Sequence, residues 1–365
     1  MTFGRKGVPT RAVRARDLVM GGGAPVSVQG MTKCDSRSAV SVVAEIQALH
    51  RAGCQMVRVA VPDAEAAAAL EVVVRESPVP VVADIHFDYR LALRALEAGA
   101  DKLRINPGNI GGRERLKTVA REAMGRGVPL RIGVNSGSLE RDVLEAAGGP
   151  TAAAMVESAR RSVETLEDIG FNDIVLSLKS STVSATIEAY RAAARRFPYP
   201  LHVGVTETGA GRPGVIKSAV GIGALLADGI GDTIRVSLTG SSVQEVIVGI
   251  EILVAVGLRK GRPEIISCPT CGRCSADIGY LVEELRKRLE PVSPEVKVAV
   301  MGCEVNGPGE AAEADVGVAM GKGRGVLVKA GRVLGSVPAD RVVEELCRAV
   351  SDHVAARARA SDPRD

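Results

Sequence analysis

From Pro25 to Gly257 one pattern of apolar and polar positions repeats along the chain. A short run rich in β-branched residues gives way to a loop containing Gly, Asn or Pro, and then to an Ala-rich amphipathic stretch. Runs of the first kind read as strands buried on both faces, and stretches of the second kind as helices with one apolar side. The runs predict strands at Val26–Gln29, Met56–Val61, Val79–Ile85, Lys102–Asn106, Pro129–Val134, Asp173–Leu178, Leu201–Val205 and Thr233–Leu238. Helices are predicted between them, for example at Val40–Ala52, Ala64–Glu76, Tyr89–Ala98, Glu114–Met124 and Val215–Ala227. Alternating strand and helix means parallel βαβ units. Eight such units over about 230 residues match a (β/α)8 TIM barrel better than an open sheet.

The pattern changes near Arg259. A strand at Glu264–Ile266, a turn through Cys268-Pro269-Thr270-Cys271, a helix at Ala276–Leu289 and a strand at Val296–Met301 come first. A strand at Val316–Met320, a hairpin of Val326–Lys329 with Arg332–Ser336, and a helix over about Ala339–Val354 follow. The expected division is therefore a barrel over 1–258 and a small α/β domain over 259–354, with Leu258–Pro263 as linker. Residues 355–365 are charged and expected to fray.

Composition narrows the class. Of 365 residues, 46% are hydrophobic, enough for a sizeable core, and the 25% that are charged is ordinary for a soluble protein. The net charge of +4 is mild and suits an anionic small molecule better than a nucleic-acid polymer. Aromatic residues make up 2% with no Trp, too few for platforms that stack single-stranded bases. Seven cysteines in a chain of this length do not read as a disulfide scaffold. No apolar run follows the basic residues of the N-terminus, and the most apolar helix, near Val246–Val256, carries Glu251 and is too short to span a bilayer. A cytoplasmic enzyme with reduced thiols, no membrane and no nucleic-acid partner, is the expectation.

The barrel strands carry an anomaly. Arginine interrupts β-branched runs at Arg58, Arg104, Arg131 and Arg235, and Lys179 stands just past the sixth strand. A buried guanidinium without an anionic partner costs several kcal/mol, so partners are required. The facing acids expected from the strands are only Asp84 and Glu207. The cation surplus at the end of a barrel where enzymes keep their sites suggests a diphosphate, because arginine matches phosphate oxygens two at a time. Internal salt bridges across the barrel are the competing account. Three loops, Asn106–Gly112, Gly133–Ser138 and Glu207–Arg212, could offer backbone N–H groups to phosphate, though Gly-rich loops also simply turn. His86 beside Asp84 could donate a proton to substrate or be a structural loop histidine. His202 reads as packing, and Gly321–Gly325 as a hairpin turn.

A second constellation lies near the C-terminus. Cys268 and Cys271 form a C-x-x-C pair, and Cys303 follows 32 residues after Cys271 in Gly302-Cys303-Glu304-Val305-Asn306-Gly307-Pro308-Gly309-Glu310. Three thiolates could hold an iron–sulfur cluster, and zinc is possible if Cys274 is the fourth ligand. Spacing alone does not rank Cys274 against Glu310.

Collinear motifs resolve this further. CPTCGR, GCEVNGPGE, VADIHFDYR, LRINPGNIG, RIGVNSGSLE, IKSAVGIG and DGIGDTIRVSL together resemble the family of bacterial 4-hydroxy-3-methylbut-2-enyl diphosphate synthases, from about Arg11 to Val354. The resemblance implies a TIM barrel followed by a small cluster domain, and reductive opening of 2-C-methyl-D-erythritol 2,4-cyclodiphosphate on the non-mevalonate route to isoprenoids. It implies one 4Fe–4S cluster per chain held by Cys268, Cys271, Cys303 and Glu310. It places substrate cations at Arg58, Arg104, Arg131, Lys179 and Arg235, polar contacts at Asn106, Asn135 and Ser237, and acid–base chemistry at Asp84, His86 and Glu207. It further implies ferredoxin or flavodoxin as electron donor, and a homodimer in which one subunit's cluster domain caps the other's barrel. Gly30, Ser180 and Glu304 depart from the family's usual Ser, Ala and Val, and Cys274 is a thiol the family does not generally use.

Overall fold

The computed structural model describes residues 9–259, 263–289 and 296–360. The chain divides after Arg259 into two units. Lys260, Gly261 and Arg262 of the expected linker lie outside the described residues.

The first unit opens with a hairpin of β1 (Val13–Ala15) and β2 (Leu18–Met20), turned through Arg16 at φ 52°. Its apolar side chains Val13, Ala15 and Met20 pack on Met56, Val82 and Val175. Eight parallel strands follow: β3 (Ser27–Met31), β4 (Met56–Ala60), β5 (Val81–Ile85), β6 (Lys102–Ile105), β7 (Leu130–Asn135), β8 (Ile174–Lys179), β9 (His202–Val203) and β10 (Thr233–Ile234). Strand β10 pairs with both β9 and β3, and a Leu176–Leu201 bridge joins β8 to β9, so the sheet closes on itself. The observed β9 and β10 are shorter than the apolar runs predict, although the Arg235 N–H still bonds the Val203 carbonyl at 3.0 Å just past them.

Among the described residues nine helices surround the strands: α1 (Ala39–Arg51), α2 (Ala64–Glu76), α3 (Tyr89–Glu97), α4 (Arg113–Arg126), α5 (Arg141–Ala147), α6 (Ala152–Glu167), α7 (Val183–Arg196), α8 (Gly211–Ala227) and α9 (Ser242–Ala255). Five start on a side chain that accepts from a free N–H of the first turn: Ser38, Asp63, Asp88, Thr151 and Ser241. Their apolar faces and the outward faces of the strands form one continuous core.

The second unit is a five-stranded sheet in chain order: β11 (Glu264–Ser267), β12 (Lys297–Met301), β13 (Val316–Met320), β14 (Arg324–Lys329) and β15 (Arg332–Pro338). Strands β11, β12 and β13 are parallel and the last three antiparallel. Helices α10 (Ile278–Leu289) and α12 (Val342–Ala360) cover one face with Leu281, Leu285, Leu346 and Val350. The short α11 (Gly307–Ala312) packs Ala311 on Ala299 and Met301 of the other. Helix α12 runs on to Ala360, so residues 355–360 continue it instead of fraying. Arg357 and Arg359 in its last turn complement the negative end of the helix dipole. Residues 361–365 lie outside the described residues.

Leu285 is fully buried between α10 and the sheet. Leu285→Ala should destabilise the chain by about 2–5 kcal/mol, the cost of lost burial plus a cavity. Urea unfolding checks this, and a loss below about 1 kcal/mol would mean that this core tolerates collapse.

Candidate functional site

Side chains alternate along each barrel strand, and one set points at the barrel axis. At the C-terminal end of the strands that set surrounds a cavity of about 480 Å³. Arg58, Asp84, His86, Arg104, Asn106, Arg131, Asn135, Lys179, Glu207, Arg235 and Ser237 all line it. The structure thus brings every barrel residue singled out in the sequence to one place.

Registry explains the electrostatics. Asp84, Arg104 and Arg131 are direct neighbours across β5, β6 and β7. Asp84 Oδ1 accepts from Arg104 Nη1 at 3.1 Å, while Oδ2 lies 3.5 Å from both Arg58 Nε and His86 Nε2. Burial alone would raise this carboxyl, but Arg58 and Arg104 outweigh it and hold Asp84 down at about 2. Asp84 is therefore a fixed anion shared by two arginines.

The other acid that pairs with a cavity arginine is one that strand reasoning missed. Glu245, on α9, bonds Arg235 Nη2 at 3.2 Å and Lys33 Nζ at 2.9 Å, and accepts from the Leu238 N–H at 2.8 Å. The one available signal was a pair of acids, Glu245 and Glu251, inside the apolar run Val243–Ala255, and the sequence does not say that Glu245 is the buried one. Glu207 is exposed at the cavity mouth, with its backbone in the left-handed region at φ 53°. That conformation costs of order 1–3 kcal/mol in a non-glycine residue and concentrates at functional sites.

Internal pairing therefore accounts for Arg58, Arg104 and Arg235 only. Arg131 and Lys179 have no carboxylate partner among the described residues, and Arg131 Nε and Nη1 lack any hydrogen-bond acceptor there. Burial, with Arg235 and Arg104 nearby, pushes Arg58 down to about 9 despite Asp84. A guanidinium keeps its proton at working pH, so Arg58 stays charged although burial first, and Arg235 and Arg104 after it, disfavour that charge. Lys179 can respond by losing its proton. Burial first, then Arg131, Arg235, Arg58 and Arg104, push it well below the ordinary lysine range. Burial first, then Arg131, Lys179, Lys102 and Arg58, push His202 well below the ordinary histidine range, and its Nδ1 faces Thr233 Oγ1 at 3.4 Å.

Two glycines give these chains room. A Cβ on Gly133 would stand 2.5 Å from Arg104 Nε, and one on Gly204 would stand 2.7 Å from Lys179 Nζ. Asn106 braces the loops, donating to Ser138 Oγ at 2.7 Å and accepting from the Gly108 N–H at 3.2 Å.

The thiol loop belongs to the second unit. Parallel registry sets Ser267 beside Val300, so Cys268 and Cys303 leave the sheet at the same end. The Gly302 N–H donates to Cys268 Sγ at 3.1 Å. Backbone N–H groups of Asn306, Val305 and Gly307, with Arg273, pull the Cys303 thiol below its ordinary value, the direction that favours a metal-binding thiolate. Cys271 is exposed, and so is Glu310 in the first turn of α11. Among the described residues no three Cys, His, Asp or Glu side chains close on a common metal position. Cys274 lies nearer to Cys268 than the sequence suggested: a Cβ on Gly302 would meet Cys274 Sγ at 2.5 Å and Cys268 Sγ at 3.1 Å.

Lys179 yields a pH prediction. Its proton is disfavoured in the free site and favoured once an anion arrives. Between the depressed pKa and the restored one, pyrophosphate binding should therefore take up about one proton, and affinity should rise as pH falls. Calorimetry in two buffers of different ionisation heat measures this, and Lys179→Met should abolish the uptake. Wild-type binding with no proton uptake would show that Lys179 stays charged throughout.

Two family models match the chain. The GcpE TIM-barrel domain covers residues 10–250 and the GcpE protein C-terminal domain residues 264–352. A protein of Geobacter sulfurreducens named 4-hydroxy-3-methylbut-2-en-1-yl diphosphate synthase (flavodoxin) is 54% identical over 92% of this chain and 97% of its own. A protein of Symbiobacterium thermophilum with the same name is 54% identical over 95% of this chain and 94% of its own. Among solved structures, dihydropteroate synthase from Stenotrophomonas maltophilia aligns with 67% of this chain and 98% of its own at 14% identity and a TM-score of 0.49, a likeness too slight to carry an argument. With both family domains matched in order and relatives this similar across nearly its full length, this chain belongs to the GcpE family.

Proposed function

We propose that this chain catalyses the reaction named by its relatives. It would open 2-C-methyl-D-erythritol 2,4-cyclodiphosphate reductively to 4-hydroxy-3-methylbut-2-enyl diphosphate, consuming two electrons and two protons and releasing water. The observation that supports this most directly is the cation surplus: five largely shielded positive side chains face one cavity, and the acids that pair with them are Asp84 and Glu245. A diphosphate relieves that imbalance, and relief is strong because the groups are already desolvated and positioned.

In this reading Arg58, Arg104, Arg131, Lys179 and Arg235 grip the two phosphates. Asn106, Asn135 and Ser237 orient the sugar-like ring. Asp84 fixes Arg58 and Arg104 in place and stays ionised. His86 and Glu207, both at the cavity wall, are the groups placed to carry a proton to the departing oxygen. The thiol set suits an iron–sulfur cluster, since these are soft ligands and Cys303 is biased toward thiolate. We assign one 4Fe–4S cluster to Cys268, Cys271, Cys303 and Glu310; when bound it would supply the electrons one at a time. A flavodoxin or ferredoxin would deliver them, the relatives' name favouring flavodoxin. The same reading makes the chain a cytoplasmic homodimer; no helix among the described residues is long and apolar enough to cross a membrane. The barrel-site assignments and the proposed cluster ligands are each open to separate tests.

Under strictly anaerobic conditions, the chain reconstituted with iron and sulfide and given a low-potential reductant should convert the cyclic diphosphate to the allylic diphosphate. A loaded, brown protein that leaves the substrate intact would sink the proposal. Arg104→Met should weaken binding of the cyclic diphosphate by about 2–5 kcal/mol, the usual cost of truncating a buried charge contact. Its circular dichroism should be unchanged, since Asp84 keeps Arg58; unfolding would make Arg104 structural. Glu310→Gln should retain much of the cluster absorbance and lose turnover. Full activity in that variant would remove Glu310 from the ligand set.

A further inference from the structure

Cys274 has no part in the function just described, yet the chain places its sulfur against a proposed cluster ligand. The loop leaves β11 at Cys268, whose N–H bonds the Val300 carbonyl at 3.2 Å. It returns at Ser275, whose N–H bonds the Gly302 carbonyl at 2.9 Å. Both ends therefore attach to the same extended segment two residues apart, a span of roughly 7 Å. Between them, the Cys274 N–H bonds the Cys271 carbonyl at 2.8 Å, closing the loop into a tight turn. The ends of the turn are where Cys268 and Cys274 sit.

Their sulfurs share one space. It is the space a side chain on residue 302 would fill, with Cys274 Sγ 2.5 Å and Cys268 Sγ 3.1 Å from its first carbon. The two sulfurs can be no further apart than those two lengths laid end to end. Both are free thiols, both are partly shielded against the core of this unit, and each is held by one weak bond, Cys268 from the Gly302 N–H and Cys274 to the Ala276 carbonyl at 3.1 Å. Cys271, the other thiol of the turn, is exposed. Small side-chain rotations would bring the half-buried pair to bonding distance, while backbone attachments at both ends hold them close.

We propose that Cys268 and Cys274 form a reversible disulfide when the chain carries no cluster. The oxidant is a small disulfide such as oxidised glutathione. One cysteine thiolate attacks it and releases one small thiol; the second thiolate then displaces the other. The cysteine pair gives up two electrons and two protons, and the small disulfide becomes two thiols. The bond withdraws Cys268 from metal binding and keeps it off the irreversible path to sulfinic acid. A reducing thiol reopens it. The consequence for loading rests on the reading of Cys268 as a cluster ligand; the disulfide itself does not.

The test uses the full-length chain, stripped of iron with a chelator, treated with oxidised glutathione and quenched with iodoacetamide. Trypsin cuts after Arg273, which separates Cys274 from Cys268 and Cys271. Mass spectrometry should find the peptide ending at Arg273 joined through Cys268 to the one beginning at Cys274, with Cys271 carrying the iodoacetamide label, and a link through Cys271 overturns the proposal. A bond inside the first peptide, between Cys268 and Cys271, overturns the proposal, and so do unlinked peptides that each carry glutathione. In a second arm, wild type and Cys274→Ser are exposed to peroxide, reduced with dithiothreitol and offered iron and sulfide. Wild type should regain several-fold more bound iron than the variant, and equal recovery overturns the protective role. Iron loading of untreated Cys268→Ser separates the two readings: normal loading sinks the ligand assignment, whatever the disulfide mapping shows.

Discussion

The constraint on which the barrel depends is an excess of positive charge held out of water. Arg131 and Lys179 are buried at the strand ends with no carboxylate partner among the described residues, next to three arginines that share two acids. Such an arrangement is costly in the free protein, because desolvation and like-charge repulsion act in the same direction. It persists because the surrounding barrel is overdetermined by apolar packing on its outer face, where nearly every strand residue that points away from the axis is fully buried. Stability generated outside the strands thus supports strain inside them. The strain becomes useful only when an anion of matching charge enters.

The rest of the first unit can be understood as protection of that arrangement. The β1–β2 hairpin closes the lower end with Val13, Ala15 and Met20, so the cations are approached from the upper end alone. Lys102, just above this floor, shows what happens to a cation placed too deep. Its Nζ faces Met20 Sδ at 3.1 Å, and burial, then Arg131, push it well below the ordinary lysine range. Higher up, Asp84 and Glu245 bind the arginines that would otherwise swing away, and each acid also has a second partner. Asp84 spans two arginines, and Glu245 also takes the Leu238 N–H and Lys33. The acids therefore position the cations without cancelling the surplus.

Much of this was legible in the sequence because strands buried on both faces leave arginine two accounts only, internal ion pairs or an anion in the barrel. Four arginines inside β-branched runs marked the cavity wall before any geometry was known. The parallel β–α alternation was equally plain. Three features were not legible, for physical reasons. The strands of the β1–β2 hairpin have three residues each, too few for a periodic signal. Glu245 belongs to a helix, so its reach to Arg235 follows from how α9 packs and not from its own neighbours in sequence. The closeness of Cys274 to Cys268 depends on where the loop rejoins β12, and spacing along the chain carries no information about that.

Both functional regions are shaped as much by missing side chains as by present ones. Gly133 and Gly204 have ordinary backbone angles, so neither is there for conformational freedom; each makes room for the charged group beside it. Gly302 does the same for two sulfurs. A methyl group at Gly133 or Gly302 would meet side-chain atoms, pushing a guanidinium or a thiol off its place, and the energetic cost would appear in the site before it appeared in the fold. At Gly204 it would crowd the Lys179 ammonium and also stand 2.5 Å from the Arg235 carbonyl oxygen, so there the neighbouring strand would have to shift as well. That separates these glycines from those with left-handed angles such as Gly127 and Gly148, which end helices and whose replacement strains the chain itself. The same residue type thus has two roles in this chain, and only the local backbone angle tells them apart.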